Sequence, residues 1–339
     1  MKKIIALLVI CLFALSILAG CGAGTNTPAE KDESKEAPKE IKKEEYPKKG
    51  ITVIVSYSAG GGTDTGARIL LPHVEKELGV PLTVVNKPGG GGWVGWNELL
   101  NAEADGYTIG YINTPNLMTG YLNPAMKRDK TIDDFTLIGN HVLDYGAIAV
   151  KADDDRFQTI DDLIEYAKKN EVTTTSTGMG SDDHIAALKV NDSVGTKFVP
   201  VHGKGASHGK AGVLGGHIDV FFANVGEATV PHKNGEMRVL AIMAPERSKF
   251  LPDIPTLEEK GYGKIYSWSA RGLAAPPGLP QDKLDKLIAA FEKAMDAPEH
   301  VKKMEDMGLL VKWMKGEEYK KFLKEDEASV IKVRDLLGW

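Results

Sequence analysis

The chain has 339 residues, with 42 Lys and Arg against 47 Asp and Glu, for a net charge of −5 at pH 7. No basic cluster stands out, so no nucleic-acid partner is expected. Both of its cysteines, Cys11 and Cys21, lie near the N-terminus. The remainder therefore holds no disulfide, no cysteine-based metal site and no cysteine nucleophile.

Lys2 and Lys3 precede an apolar run from Ile4 to Leu18, the layout of a secretory signal peptide over residues 1–20. Ser16 and Gly20 interrupt the run, which is short for a membrane span. It ends in Leu18-Ala19-Gly20-Cys21, which resembles a bacterial lipobox. That resemblance implies cleavage before Cys21 by signal peptidase II and a diacylated cysteine, with fatty acids such as palmitate in its lipid. The alternative is an ordinary signal peptide that contains a cysteine. Residues 21–45 are rich in Ala, Pro, Lys and Glu, with Pro28 and Pro38 against a helix, and read as a disordered tether behind the lipidated cysteine.

Ile51-Thr-Val-Ile-Val55 is a β-branched apolar run that reads as a buried strand. Ala67, Leu70, Leu71, Val74 and Leu78 then recur at helical spacing. Between them lies Tyr57-Ser58-Ala59-Gly60-Gly61-Gly62-Thr63-Asp64. A glycine turn feeding a helix N-terminus presents backbone N–H groups and about half a positive charge, which suits an anion. A plain tight connection is the alternative. No Gly-Lys-Ser/Thr follows the glycines, and the next strand, Leu82–Asn86, ends in Asn rather than an acid. Neither a Walker loop nor a dinucleotide site fits.

Strand-like runs continue to alternate with helix-like segments as far as Gly272–Ala275, and the last ~60 residues read as helical. The alternation predicts an α/β fold with parallel-rich sheets. Small, donor-rich turns follow the strand-like runs: 88–92, Asn113–Asn116, Thr177–Ser181, His202–Ala206 and Asn224–Gly226. Ligands of open parallel sheets sit at the carboxyl ends of strands, so these turns suggest two binding edges facing a cleft. A hydrolase is the competing expectation. Gly205-Ala206-Ser207-His208-Gly209 fits G-x-S-x-G, with Ser207 as nucleophile, Asp219 or Asp253 as acid and His232 or His300 as base. The scattered histidines suggest no metal site, and no cofactor is expected.

Taken together, these segments resemble the extracytoplasmic solute receptors of tripartite tricarboxylate transporters, the TctC or Bug family. Val55–Asp64 is similar to its opening strand and A-G-G-G-T-D turn, and Val84–Gly92 to its V-x-N-x-P-G-x-G-G segment. Asp105-Gly-Tyr-Thr108, Leu214–Asp219, Phe222-Ala-Asn224 and Ile254–Gly261 match later motifs in order. The resemblance implies a two-lobe periplasmic-binding-protein fold (type II, flytrap), with lobe 1 over 46–148 plus 272–339 and lobe 2 over 149–271. It implies a non-enzymatic receptor, anchored through Cys21 to the bilayer outside the cytoplasm, in the periplasm or on a Gram-positive surface. Its partners would be a small-molecule carboxylate and the transporter's membrane subunits.

Candidate ligand contacts are the turn residues Tyr57, Ala59, Gly60, Gly61, Thr63 and Asp64, the last as contact or as brace. Asn113 and Thr114 can offer side-chain bonds. From the second lobe come Gly178, Gly180, Ser181, His184, Lys204 and Asn224. The turns at 59–64 and 177–181 are each expected to hold one carboxylate. Arg271 reads as a carboxylate clamp or a hinge ion pair, and Trp93 and Trp96 as packing. Gly203 and the pair Asp182-Asp183 depart from the family pattern. They count against a fully ionised polyanion and leave room for a ligand with a cationic or neutral end.

Overall fold

The computed structural model describes residues 45–339. The expected leader, Cys21 and nearly all of the tether lie outside the described residues. Strand β1 (Ile51–Val55) leads through the glycine turn into α1 (Gly62–Leu78). Then come β2 (Leu82–Asn86), α2 (Trp93–Leu100), β3 (Thr108–Thr114) and α3 (Asn116–Leu122). A 16-residue strand, β4 (Thr136–Lys151), leads to α4 (Ile160–Lys169), β5 (Val172–Ser176) and α5 (Asp182–Val194). They are followed by β6 (Phe198–His202), α6 (Ala206–Leu214), β7 (Val220–Asn224), α7 (Val225–Lys233) and β8 (Met237–Met243). The last elements are β9 (Trp268–Ala275), α8 (Gln281–Met295), α9 (Pro298–Asp306), β10 (Val311–Lys315) and α10 (Gly316–Lys332).

The strands run in the order β2-β1-β3-β9-β4-β7-β5-β6, with β8 and β10 also on β4. The outer ladders β2-β1-β3 and β7-β5-β6 are parallel, and every pairing made by β4 and β9 is antiparallel. The fold is thus a mixed α/β sheet in two lobes. Within these ladders β1 and β7 are covered on both faces, so Ile51–Val55 and Val220–Asn224 are almost wholly buried, whereas the edge strand β6 is largely exposed. Strand β4 belongs to both lobes: Thr136–Tyr145 pairs with β9, and Gly146–Lys151 pairs with β7 and β8. Sequence reading splits it into two strands, Phe135–Val142 and Gly146–Val150. Backbone pairing continues through Leu143–Tyr145, whose partners on β9 are distant in sequence.

On one face of the first lobe, α1 and α8 bury Leu70, Leu71, Val74, Leu287 and Phe291 against β1 and β3. On its other face α2, α3 and α10 bury Trp93, Trp96, Leu117 and Leu323. The second lobe has its own core around Ile148, Leu163, Val190 and Phe222. The C-terminal segment is helical except for β10, which lies antiparallel to β4.

Candidate functional site

The carboxyl ends of β1, β3, β5 and β7 converge between the lobes, where glycine turns face one another. Thr119 Oγ1 donates to the Gly180 carbonyl at 2.9 Å, and Ser58 Oγ to the Lys204 carbonyl at 3.3 Å. Between these contacts lies a cavity of about 20 Å³, room for roughly one water. Its lining includes Tyr57, Gly61, Gly62, Thr63 and Asn113 from the first lobe and Thr177, Asp182, Asn224 and Glu227 from the second, with Arg271 from β9. Larger cavities of about 220 and 310 Å³ flank it, sharing Gly61, Gly62, Ala206 and Glu227 on one side and Asn116 on the other.

Arg271 organises the centre and is 2% exposed. Its Nη2 donates to Asn224 Oδ1 at 2.8 Å and lies 3.4 Å from Glu227 Oε1. Its Nη1 stands 3.1 Å from Asp144 Oδ2, an ion-pair distance, yet neither atom makes a well-aligned hydrogen bond among the described residues. Asp144 Oδ1 accepts from the Gly226 N–H. Two glycines make this stacking possible. A Cβ at Gly62 would lie 2.4 Å from Arg271 Nη1, and one at Gly226 would lie 2.8 Å from Asp144 Oδ2.

The α1 N-terminus has no side-chain cap, and its first-turn N–H groups have no intrahelical acceptor. Glu227 crosses the cleft to supply one. Its Oε1 accepts from the Gly62 N–H at 3.3 Å, and its Oε2 from the Asn224 N–H at 3.1 Å. One carboxylate thus already sits where two helix N-termini and a guanidinium meet, the chemistry predicted for this turn.

Three further acids crowd the arginine: Asp144, Asp182 and Asp183, all nearly inaccessible. Burial pushes the Asp144 carboxyl up to about 7, Arg271 opposes the rise and Glu227 adds to it. Burial likewise pushes Asp182 up to about 7, opposed by the Asn224 hydrogen bond and reinforced by Glu227. Asp183 is driven well above the carboxylate range by burial and then by Asp182. The Tyr57 hydroxyl is held protonated by burial and by the same two aspartates.

The predicted residues divide into two groups. Tyr57, Gly61, Thr63, Asn113 and Asn224 meet at the central cavity, and Thr63 Oγ1 accepts from Asn113 Nδ2 at 2.7 Å. Asp64 is a brace. It accepts from the Gly60 N–H, Arg68 and Asn86, and these bonds outweigh burial to hold its carboxyl low. Ala59 and Gly60 are exposed, and Gly60 lines only the flanking 220 Å³ cavity.

The turn at 177–181 borders the cleft, with Thr177 on the central cavity and Gly178 and Gly180 on the 310 Å³ one, and several of its donors serve the protein itself. Gly178 N–H bonds Ser176 Oγ, Gly180 N–H bonds His184 Nδ1, Ser181 N–H bonds the Gly178 carbonyl and Thr177 N–H bonds Asp183. Ser181 caps α5 through the His184 N–H. His184 packs on His202, and burial, then His202, lowers its pKa to about 4. Lys204 is exposed and Thr114 is buried, and neither lines any of these cavities. Sequence reading missed Gly62 as a contact, Asp144 and Glu227. Asn224-Val-Gly-Glu227 has the spacing of a capping box, the one signal that could have flagged Glu227.

The hydrolase expectation finds no geometry to support it. No described hydrogen bond involves Ser207 Oγ, Asp219 is bound to Thr173 and Arg156, and His300 is buried against His141.

The model of the tripartite tricarboxylate transporter family receptor, TctC, matches residues 67–336. The chain belongs to this family. It is 30% identical over 304 residues to a UPF0065 protein of Cupriavidus necator, covering 89% of this chain and 91% of that one. Among solved structures, a TctC solute-binding protein from Polaromonas is 31% identical, with a TM-score of 0.62 over 86% of this chain and 99% of the other. MatC from Rhodopseudomonas palustris, solved with bound malate, is 23% identical with a TM-score of 0.78 over 86% of this chain and all of the other. The chain is therefore a solute receptor of an extracytoplasmic family, with a periplasmic-binding-protein fold.

Proposed function

We propose that the protein is a lipid-anchored receptor that captures a small organic carboxylate between its lobes and delivers it to a tripartite tricarboxylate-type transporter. Lobe 1 comprises 46–148 plus 272–339 and lobe 2 comprises 149–271, with acylated Cys21 and the tether linking them to the membrane. The observation that carries the ligand class is the seat of Glu227. The α1 N-terminus and Arg271 together accept a carboxylate, and a ligand carboxylate can take that place when the lobes part. MatC, which shares the fold, was solved with malate, and this reading extends that ligand chemistry to the present chain. Binding needs no bond-making, only opening, exchange of one carboxylate for another, and closure.

A thermal-shift panel of malate, succinate, citrate, adipate, aspartate and glutamate tests the reading. A ligand at a hundred times its Kd adds about 2.7 kcal/mol, a midpoint rise of several degrees. A clear rise with one carboxylate is expected, and it should vanish in Arg271→Met. No shift with any acid would refute the proposal. Mass spectrometry of the membrane-extracted protein should show an acylated N-terminal Cys21, and Cys21→Ser should release the protein from membranes.

A further inference from the structure

The charges around the cavity do not balance for a plain polyanion. Among the described residues lining it, Arg271 is the one cation, and Asp182 and Glu227 are both acids. Asp144 and Asp183 stand directly behind them, so four carboxyls surround one guanidinium. Glu227 and Asp144 already lie at ion-pair distance from that guanidinium. Once a ligand carboxylate has taken the place of Glu227, a second carboxylate entering here would meet Asp182 with Asp183 behind it, acids that already resist ionisation at this site. Buried like charges are poorly screened, so such repulsion weighs against a second anion.

A second observation is independent of charge. Asn113 lines the cavity and is 4% exposed; its Nδ2 is committed to Thr63, and its buried Oδ1 has no hydrogen-bond partner among the described residues. Asp182 uses Oδ2 to accept from Asn224, and no described hydrogen bond reaches its Oδ1. One buried acceptor on the lining is therefore unpaired, beside a carboxylate with an oxygen that no described hydrogen bond reaches. A buried acceptor left unpaired is destabilising, and a ligand that donates there recovers the loss.

We infer that the cleft takes a carboxylate that also carries a protonated amine, with its ammonium on Asp182 and Asn113 and its carboxylate on the α1 turn and Arg271. This inference rests on the receptor reading above and narrows its ligand to amino-carboxylates. Such a ligand brings a positive charge to the acids and an anion to the helix terminus in one molecule. Asp182 is then the residue that discriminates amine from no amine, and Glu227 assists by keeping that side of the cleft negative.

The test compares matched pairs on the full-length protein by calorimetry: aspartate with succinate, glutamate with glutarate, and 4-aminobutyrate with butyrate. In at least one pair the amine-bearing member is expected to bind tenfold or more tightly. In Asp182→Asn that ratio should fall to within about twofold while the amine-free acid binds as well or better, an effect that a merely structural role would not produce. Glu227→Gln, which removes the charge and keeps one of the two acceptor oxygens, should reduce the same ratio and is a second variant independent of the folding of the first. If the amine-free member binds equally or more tightly in every pair, the inference is overturned and the carboxylate receptor stands. If no member of either set binds, both fall.

Discussion

Gly62 carries no side chain because Arg271 lies over it, so a methyl group there is a direct probe of the site. The guanidinium is pinned by Asn224, Glu227 and Asp144 and cannot step aside without losing those bonds. Gly62→Ala should cost about 1–3 kcal/mol by overpacking and weaken the ligand. Urea unfolding would expose the error if the midpoint did not move. The aspartates give a prediction in pH. Asp182 titrates near 7 in the fold because burial outweighs its Asn224 bond, against ~3.9 when unfolded. Between about pH 4 and 7 the folded state therefore binds more protons, and this group's contribution to stability falls as pH rises. Buried His141 and His300 are held below their usual range, chiefly by burial. They act in the opposite sense below about pH 6.5, since their unfolded forms take up protons first. The parent's profile mixes both effects, and the difference between Asp182→Asn and the parent isolates one. That difference should grow in the variant's favour from pH 4 to 7, by at most ~1.4 kcal/mol per unit. A constant difference would mean that the carboxyl titrates as it does in water.

At the scale of elements, local rules hold where a segment's own residues decide it. Thr159 and Asp162 form a reciprocal capping box at the start of α4, with Thr159 Oγ1 accepting from the Asp162 N–H at 3.2 Å and Asp162 Oδ2 from the Thr159 N–H at 2.8 Å. Thr159→Ala should cost about 1 kcal/mol and leave ligand affinity unchanged, because α4 packs on the outer face of the second lobe. A loss of affinity would link that face to the cleft. The same local logic made β1, the glycine turn and α1 legible from sequence. It fails where the partner is remote. Val311–Lys315 pairs through β10 with residues about 170 positions earlier, so nothing near it in sequence marks it as a strand. The site shows the same division. The α1 turn could be read, but Glu227 matters because the fold brings α7 to Gly62. The glycines at 178 and 180 were legible as a turn but not as a lobe contact, since Thr119 and Gly91 meet them only in three dimensions.

The whole molecule acts through β4, the strand shared by both lobes, and the ion pair Arg271–Asp144 ties it to β9 next to the point where it passes from one lobe to the other. The central cavity, about 20 Å³, is too small for any dicarboxylate or amino acid, so ligand exchange requires the lobes to separate. The lobe contact nearest the α1 turn allows that requirement to be tested. A Cβ built on Gly205 lies 3.6 Å from the Ser58 Cβ, within the ~3.5–4.5 Å that a disulfide needs. Cys11 and Cys21 are the native cysteines, so a chain beginning after Cys21 gives Ser58→Cys/Gly205→Cys no competing thiol. Gly205 has φ +153°, so a cysteine there is strained and Gly205→Cys alone is the control for that cost. Oxidised, the double variant should neither take up ligand nor release ligand trapped before oxidation, and reductant should restore both. Uptake at the parent's rate by the oxidised protein would show that exchange bypasses lobe opening. The ligand would then have to lie in the open flanking cavities, and Arg271 and Glu227 would act as a structural clasp between the lobes with no part in capture.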